Sequence, residues 1–454
     1  MDLYNSPSWR EPRPSKTSAE LSMRTSRHPR HLLVGAIVLA GVLLSNAACG
    51  TSEGDEVPYT LTLVTDSSPN TLTLVADSSP TESGAGEPNL SVTADGRALL
   101  SWLVPADNST TALRFSTRDA AGTWAAPQEI IRRNDLFVNW ADFPSVVSLA
   151  DGRLLAHWLQ RNGEGRYAYD VRMAESRDGG LNWGERVTPH TPGIPAEHGF
   201  AALLPTADSG AAVVLLDGGA GVEDSHGAVM HLAYATWGAQ GGVTSKAILD
   251  HRVCDCCQTG IAMTTRGPVV VYRDRSDEET RDISVVRLVD GAWTEPRSIH
   301  ADNWKIDFCP VNGPAISSQG DNVAIVWFAA PNDSARVLVV FSTDAGATFS
   351  APVRIDGGSP TGRVDIELLD GGTALVSWIE RTGGDKAEVW ARVVRPTGFE
   401  PRTVVSTSTS TRSSGFPRMV RTADGVLMAW TMPGKPSAVR TALLRIDSVA
   451  AGQQ

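Results

Sequence analysis

The stretch Ser176-Arg-Asp-Gly-Gly-Leu-Asn-Trp183 decides the fold of this chain, because its pattern returns as Ser342-Thr-Asp-Ala-Gly-Ala-Thr-Phe349. The residues that define the pattern are Ser176, Asp178, Gly180 and Trp183 in the first copy and Ser342, Asp344, Gly346 and Phe349 in the second. An Asp in such a turn can accept backbone N–H bonds, and Gly permits a positive φ. Both copies therefore predict the same turn between two strands, with an aromatic residue packed behind it.

The turns belong to a larger unit that recurs seven times from residue 87 onward. Its period of about 55 residues is slightly above the usual range of propeller blades. In each unit an apolar strand, a turn with Asp or Gly and a second apolar strand follow one another. The second strand ends near Trp102, Trp158, Trp327, Trp378 or Trp430, and near Leu216 or Tyr272 in the other two units. Four short strands per unit, without long helical periodicity, predict an all-β propeller of four-stranded blades. Seven blades are preferred, and six are the alternative.

The seventh unit has no fourth strand of its own. Two near-duplicate alternating segments, Tyr59–Val64 and Thr71–Val75, are candidates to complete it from the N-terminal side. Closure of the ring in this way protects open sheet edges; a tethering linker is the alternative. We therefore assign residues 50–86 to an N-terminal linker and ring-closing strand, 87–447 to the propeller and 448–454 to a C-terminal tail.

The turn pattern S-x-D-x-G-x-x-W resembles the Asp box, or BNR repeat, of sialidases and related propellers. The resemblance implies a sialidase-like propeller in which the box is structural and lies opposite the usual active site. It also implies an exo-α-sialidase-like glycoside hydrolase, with arginines for the substrate carboxylate, a Tyr–Glu pair and an Asp acid/base. The F/Y-R-I-P motif of that family is absent from the sequence. A non-catalytic glycan- or protein-binding propeller is therefore the alternative.

Loops that lead into the inner strands share one face with loops that join second and third strands, and this face is the default ligand site. Three blades place Arg273, Arg363 and Arg418 in such loops, as a candidate clamp for a carboxylated ligand. Local ion pairs or salt bridges between blades are the alternative. Asp142, beside Trp140, is a candidate general acid with a pKa raised by burial, or else it caps a turn.

Two further side chains complete the catalytic candidates. Tyr272, beside an arginine-rich stretch, is a candidate nucleophile, and Asp274 or Glu380 would accept its proton. His198, beside Glu197, is a candidate proton shuttle or an ordinary polar loop residue. The predicted catalytic set is Asp142, Tyr272 and Glu380.

Four cysteines follow the N-terminal region: Cys254, Cys256 and Cys257 lead into the fourth blade, and Cys309 leads into the fifth. Corresponding loops of adjacent blades lie side by side, so these residues are expected to be close in space. We predict two disulfides, one from Cys309 to Cys254 or Cys256 and one between the remaining two. A soft metal such as copper(I) or zinc, bound by the same thiolates, is the alternative, as are free thiols. No other cofactor is predicted.

Residues 1–49 have the pattern of an export signal. Arginines within residues 24–30 precede the apolar run Leu32–Leu44, which is shorter than the ~20 residues of a membrane span. Small residues and Cys49 follow, in the manner of a bacterial lipobox, so an acylated, exported protein held in the cell envelope by lipid alone is expected. A plain cleavable signal is the alternative, and Met23 is a candidate start.

The overall charge excludes one class of partner. The chain of 454 residues has a formal net charge of -11, and its basic residues form no stripe. Nucleic acid is therefore not an expected partner. The expected partner is a glycan or another carboxylated ligand, with a protein as the alternative, and the expected state is a monomer.

Overall fold

The computed structural model describes residues 70–219, 223–224 and 227–448. Strands dominate these ranges and form seven antiparallel blades. The inner strand of each blade contacts those of its neighbours, and blade 1 contacts blade 7, so the ring is closed. The prediction of an all-β, seven-bladed propeller is confirmed, and the six-bladed alternative is wrong.

The blades follow one another in chain order, each with its inner strand first. Blade 1 contains Gly86–Val92, Ala98–Pro105, Thr111–Arg118 and Gln128–Arg133. Blade 2 contains Ser145–Ser148, Leu154–Arg161 and Tyr169–Ser176, with Val187 bridged to Met173 at the fourth position. Blade 3 contains His198–Pro205, Ala211–Asp217, His231–Trp237 and Val243–Asp250, and a small ribbon, Glu223–Asp224 with Gly227–Ala228, lies between its second and third strands.

The remaining blades repeat this order. Blade 4 contains Gly260–Thr264, Gly267–Arg273, Ile283–Val289, Ala292–Trp293 and Arg297–Ser298. Blade 5 contains Ala315–Gln319, Asn322–Ala329, Arg336–Ser342 and Val353–Arg354. Blade 6 contains Pro360–Leu368, Ala374–Gly383, Lys386–Arg395, Gly398–Phe399 and Thr403–Thr409. Blade 7 contains Asn70–Asp77, Arg418–Thr422, Gly425–Met432 and Ala438–Ser448. Short 3₁₀ turns occur at Pro331–Asp333, Asp370–Gly372 and Arg412–Ser414.

An N-terminal strand closes the ring. Asn70–Asp77 pairs antiparallel with Ala438–Ser448, so that Leu72 lies opposite Ile446. The prediction that a strand from this side completes blade 7 is confirmed, and Thr71–Val75 is the segment that does so. The duplicate segment Tyr59–Val64 lies outside the described residues.

The second strands form the core of the blades because both of their faces are covered. In Ala98–Pro105 every residue except the last is buried. Trp102, Trp158, Trp327 and Trp378 are among the largest fully buried side chains. Trp327 donates its indole N–H to Asp302 over 2.6 Å, and Trp378 donates to Glu380 over 2.8 Å. At these two positions the tryptophan supplies apolar area together with a satisfied polar group.

The two Asp boxes have the same hydrogen bonds. In the first, the Ser176 hydroxyl donates to Asp178 over 2.9 Å and accepts from the Gly180 N–H over 2.8 Å. In the second, Ser342 makes the corresponding bonds to Asp344 and Gly346, of 2.7 and 2.9 Å. Each box follows a third strand, so both lie on the face away from the loops that lead into the inner strands. Their role is to hold a turn.

The export signal, Cys49 and the tail beyond residue 448 lie outside the described residues. No helix in the part of the chain that the structure describes has the length and apolar character needed to cross a bilayer. Export and lipid attachment stay predictions.

Candidate functional site on the leading-loop face

We call the loops that enter the inner strands the leading loops, and the face that they form the leading-loop face. On this face the hydroxyl of Tyr169 lies between two carboxyl groups. It is 2.9 Å from Oε1 of Glu197 and 3.4 Å from Oδ2 of Asp142. Asp142 belongs to the leading loop of blade 2 and Glu197 to that of blade 3, so neighbouring blades meet at one phenol.

Backbone pairing explains how the three side chains converge. Tyr169, the first residue of its strand, forms a parallel bridge with Glu197, and its N–H donates to the Ala196 carbonyl over 3.0 Å. Gly199 follows closely, and a Cβ placed there would lie 2.1 Å from Oδ2 of Asp142. The absence of a side chain at this glycine therefore makes room for the site.

Burial controls the protonation of this group. It raises the pKa of the Asp142 carboxyl to about 7. Burial likewise raises the pKa of the Glu197 carboxyl to about 8, and the negative charges of Asp255 and Asp142 act in the same direction. The pKa of the Tyr169 phenol is raised well above its usual value by burial, so the phenol remains a donor at neutral pH. Two carboxyl groups that retain protons near pH 7 are suited to acid–base chemistry.

The three members differ in accessibility. Tyr169 is fully buried and stacks on Phe137 with ring centroids 4.2 Å apart. Asp142 is buried but contributes to the wall of the cavity on the propeller axis, together with Gln258, Asp365 and Arg418. Glu197 is half-buried. Glu197 is therefore the most accessible of the three residues, whereas Asp142 borders the axial cavity and the phenol is buried.

The predicted arginine clamp has a different set of partners in each blade. Arg273 is buried and donates to the carbonyls of Asn312, Arg281 and Phe328. Its guanidinium also lies 4.9 Å from the ring centroid of Trp304. These contacts occupy its donors with backbone acceptors of its own and the adjacent blade.

The other two arginines also bind protein acceptors. Arg363 donates to the carbonyl of Ser410 over 3.1 Å and lies over the ring of Trp140. Burial lowers its pKa to about 10. Arg418 donates to Asn89 over 3.2 Å and lies 3.6 Å from Asp365. The structure does not join the three arginines through a shared contact, and the clamp stays a prediction.

The other predicted catalytic residues are not brought together. The Tyr272 hydroxyl donates to Asp250 over 2.5 Å, whereas Asp274 accepts from Ser284. Glu380, in blade 6, accepts from the Trp378 indole and pairs with Arg402. Tyr272 is fully buried, so its phenol has no route to a ligand. Neither carboxylate that the sequence suggested as its base accepts its proton; Asp250 has that place.

The cysteines converge closely. The Cys254 sulfur lies 3.8 Å from that of Cys256 and 3.4 Å from that of Cys257, and all three residues are buried. Cys309 is exposed and donates to Asp255 over 3.3 Å. All four described cysteines are free thiols, so the predicted bridges are not formed in this structure; the sulfurs are in contact rather than at a bond length of about 2.0 Å.

Among the described residues, three groups of side chains have metal-ligand character, and one of them, Asp255 with Cys256 and Cys309, shares Cys256 with the thiol cluster. The first is the thiol cluster, Cys254, Cys256 and Cys257, whose sulfurs all lie within 4.8 Å of one another. The second is Asp170 with His190 and His198. The two imidazole rings stack 3.8 Å apart, while His198 already binds Asp217 over 3.0 Å and the Ile194 carbonyl over 3.2 Å. Both ring nitrogens of His198 therefore have hydrogen-bond partners. To act as a proton shuttle, the ring would first have to break one of these two hydrogen bonds.

One residue of the site is not indicated by the sequence. Tyr169 stands in no motif and far from the arginine-rich stretch, and only its position at the start of a third strand marks it. The thiol cluster, by contrast, is predicted, with a bound metal as the alternative to disulfides.

The chain matches no protein-family model and no curated protein in sequence. Its fold is similar to that of the BP39L lectin from Burkholderia pseudomallei, at 12% identity over 79% of this chain and 96% of that one, with a TM-score of 0.52. The GH93 alpha-L-arabinofuranosidase of Fusarium graminearum is 14% identical over 67% of this chain and 92% of its own, with a TM-score of 0.44. The phage phi92 endosialidase is 11% identical over 85% of this chain and 71% of its own, with a TM-score of 0.45. The chain is a seven-bladed β-propeller, and of these three structures the lectin has a TM-score above 0.5. At these identities the likeness concerns the fold alone.

Proposed function

We propose that this chain is a glycan-directed hydrolase and that Glu197 is its proton donor. The observation that carries the proposal is the Tyr169 hydroxyl held between the carboxyl groups of Glu197 and Asp142. Hydrolysis of a glycosidic bond commonly uses two carboxyl groups, one protonated and one ionised. A carboxyl with a pKa of about 8 stays protonated at neutral pH and can protonate a leaving-group oxygen.

The three residues have different parts in this proposal. Glu197 is half-buried on the leading-loop face and delivers the proton. Asp142, with a pKa of about 7, loses its proton before Glu197 as the pH rises and then supplies the carboxylate from the wall of the axial cavity. Tyr169 is a positioning residue, because it is buried, donates its hydroxyl proton to Glu197 over 2.9 Å and lies 3.4 Å from Asp142. This division follows the rule that paired acids with separated pKa values take separate roles.

The test is a screen of fluorogenic glycosides, including α-sialosides and α-L-arabinofuranosides, with the wild-type protein and four variants. We expect Glu197→Gln and Asp142→Asn to lose about 10²- to 10⁴-fold in turnover. Glu164→Gln is the matched control, because Glu164 is exposed in the hairpin before Tyr169. Tyr169→Phe should shift the pH profile of kcat, whereas a purely structural contribution would lower kcat equally at every pH. Turnover that survives in both carboxyl variants contradicts the proposal.

A glycan-binding propeller without catalysis is the second candidate. The similarity of the fold to the BP39L lectin, with a TM-score of 0.52, supports this candidate. A glycan array with the wild-type protein separates the two functions. Specific binding without hydrolysis of the bound glycan supports the second candidate and excludes the first.

The proposal includes export and attachment to the cell envelope through an acylated Cys49. It is supported by the order of a basic flank, the apolar run Leu32–Leu44 and Cys49 in the sequence. A glycan-directed protein in that location meets its ligands outside the cytoplasm.

A further inference from the structure

The thiol cluster is unusual because three cysteines share one leading loop and point to one place. Cys254, Cys256 and Cys257 have relative exposures of 1%, 9% and 2%. The Cys254 sulfur lies 3.8 Å from the Cys256 sulfur and 3.4 Å from the Cys257 sulfur. All three sulfurs lie within 4.8 Å of one another. Thiolates in a tetrahedral zinc site, each about 2.3 Å from the metal, stand about 3.8 Å apart. The cluster therefore has nearly the sulfur spacing that one metal ion requires.

The surroundings of the cluster carry the opposite charge. Nη1 of Arg281, a residue with 3% side-chain exposure, lies 3.2 Å from the Cys254 sulfur. The carbonyl of Arg273 accepts the N–H of Cys254, and the Arg273 side chain is itself buried. Buried anions need compensating positive charge or a metal. Arg281 also pairs with Glu279 over 2.8 Å and lies 3.4 Å from Asp255, so it shares its positive charge between the Cys254 sulfur and these carboxylates.

The wall around the sulfurs is apolar. The cysteines pack in one buried cluster with Val253, Met230 and other hydrophobic side chains. Such a wall excludes water and favours soft, weakly hydrated ions over Mg²⁺ or Ca²⁺. Zinc prefers four ligands, whereas the buried cluster offers three sulfurs.

A second group of ligand atoms lies on the solvent side. Asp255, Cys256 and Cys309 place one ligand atom each within 4.8 Å of one another, and Cys309 is exposed. Cys256 belongs to both groups, so the exposed pair adjoins the buried sulfurs without a gap. An ion captured at Cys309 can reach the buried cluster through a single shared ligand.

We propose that Cys254, Cys256 and Cys257 bind one copper(I) ion as thiolates, and that Cys309 with Asp255 forms the outer site through which the ion enters. Each thiol that becomes a ligand releases its proton to solvent, and no oxidation step is involved. The copper is supplied in the reduced state.

The test is a titration of the full chain, purified without oxygen, with copper(I) in competition with a copper(I) chelator, and a parallel titration with zinc. We expect one tightly held copper(I) per chain and an all-sulfur shell of three ligands in X-ray absorption spectra. Cys257→Ser should weaken copper(I) binding at least about 100-fold. Cys309→Ser tests the outer site, and it should slow the loading of copper(I).

A second measurement protects the test against variants that do not fold. In the wild-type protein, bound copper(I) should slow alkylation of the three buried cysteines relative to the metal-free protein and leave Cys309 reactive. A disulfide among the buried cysteines in freshly isolated protein, with no metal bound after reduction, would overturn the proposal. Stoichiometric zinc with four ligands, in preference to copper(I), would overturn the choice of ion.

Discussion

The phenol of Tyr169 donates a 2.9 Å hydrogen bond to Glu197, although the two residues lie 28 positions apart and in different blades. The bond exists because the third strand of blade 2 begins beside the leading loop of blade 3, where Tyr169 and Glu197 form a parallel bridge. Asp142 reaches the same hydroxyl from the leading loop of blade 2. The proposed acid–base site is therefore a property of the junction between two blades.

Replacement of Gly199 tests the packing of this junction. The new Cβ in Gly199→Ala would lie 2.1 Å from Oδ2 of Asp142 and 2.9 Å from the Tyr169 hydroxyl oxygen. Since the site has to shift, we expect a loss of about 1–3 kcal/mol in the free energy of unfolding. The control is Gly86→Ala, where nothing lies within 4 Å of the added Cβ. Denaturant unfolding measures both, and an equal effect of the two changes would contradict the packing that we describe.

The raised pKa of Asp142 predicts a dependence of stability on pH. The folded carboxyl keeps its proton up to about pH 7, while an unfolded Asp loses it near pH 4. The unfolded state binds fewer protons in this window, so the free energy of unfolding falls as pH rises, by up to about 1.4 kcal/mol per pH unit. Above pH 7 this contribution is constant.

The variant Asp142→Asn should lack that decline. Urea unfolding at about pH 5 and pH 7, in the wild type and the variant, measures the difference. Exposed Asp385 provides the control, since Asp385→Asn should keep the wild-type dependence. Burial also raises the pKa of the Glu197 carboxyl, to about 8. The free energy of unfolding of Asp142→Asn should therefore still fall with rising pH, but less steeply than that of the wild type. Identical pH dependence in the wild type and Asp142→Asn would refute the buried, protonated state.

Much of the fold could be predicted from the sequence because each blade is a local unit. Strand, turn and tryptophan recur in register, and a pattern of this kind needs no knowledge of distant contacts. The ring-closing strand was predicted as one of two duplicates, since Tyr59–Val64 and Thr71–Val75 have the same alternation. Pairing with Ala438–Ser448 selects the second.

The site was predicted less well, because its members are joined by packing between blades. Asp142 was singled out with a raised pKa, and the structure gives it one. The sequence does not indicate Tyr169 and favours Tyr272, which is close to arginines along the chain. Proximity along the chain did not reveal that Arg273 is occupied by backbone carbonyls. Such contacts depend on loops of neighbouring blades, which no local pattern encodes.

The ring-closing strand should be required for a stable propeller. Deletion of residues 58–77 removes both duplicate segments and also the Asp77 carboxylate that binds Arg118 and Trp124. The edge of Ala438–Ser448 would then be open, so we expect a lower Tm and aggregation. Deletion of residues 50–57 is the control. Light scattering during a thermal ramp distinguishes them, and a truncated protein that stays monomeric with an unchanged Tm would contradict this role.

The anchor prediction concerns Cys49 alone. Mass spectrometry of the native protein should find an N-terminal peptide that begins with an acylated Cys49, and the protein should partition into detergent. Cys49→Ser should abolish both properties while the propeller folds normally. A mature N-terminus without lipid, in protein released by aqueous buffer, would favour the plain cleavable signal.

The most direct test of the account is the dependence of the Glu197→Gln effect on the leaving group. With a substrate from the glycoside screen, kcat/KM is measured for an alkyl or sugar leaving group and for a dinitrophenyl leaving group, which departs without protonation. If Glu197 is the proton donor, the variant should lose about 10²- to 10⁴-fold with the first and little with the second. An equal loss with both, or no loss with either, would contradict the proposed role of Glu197.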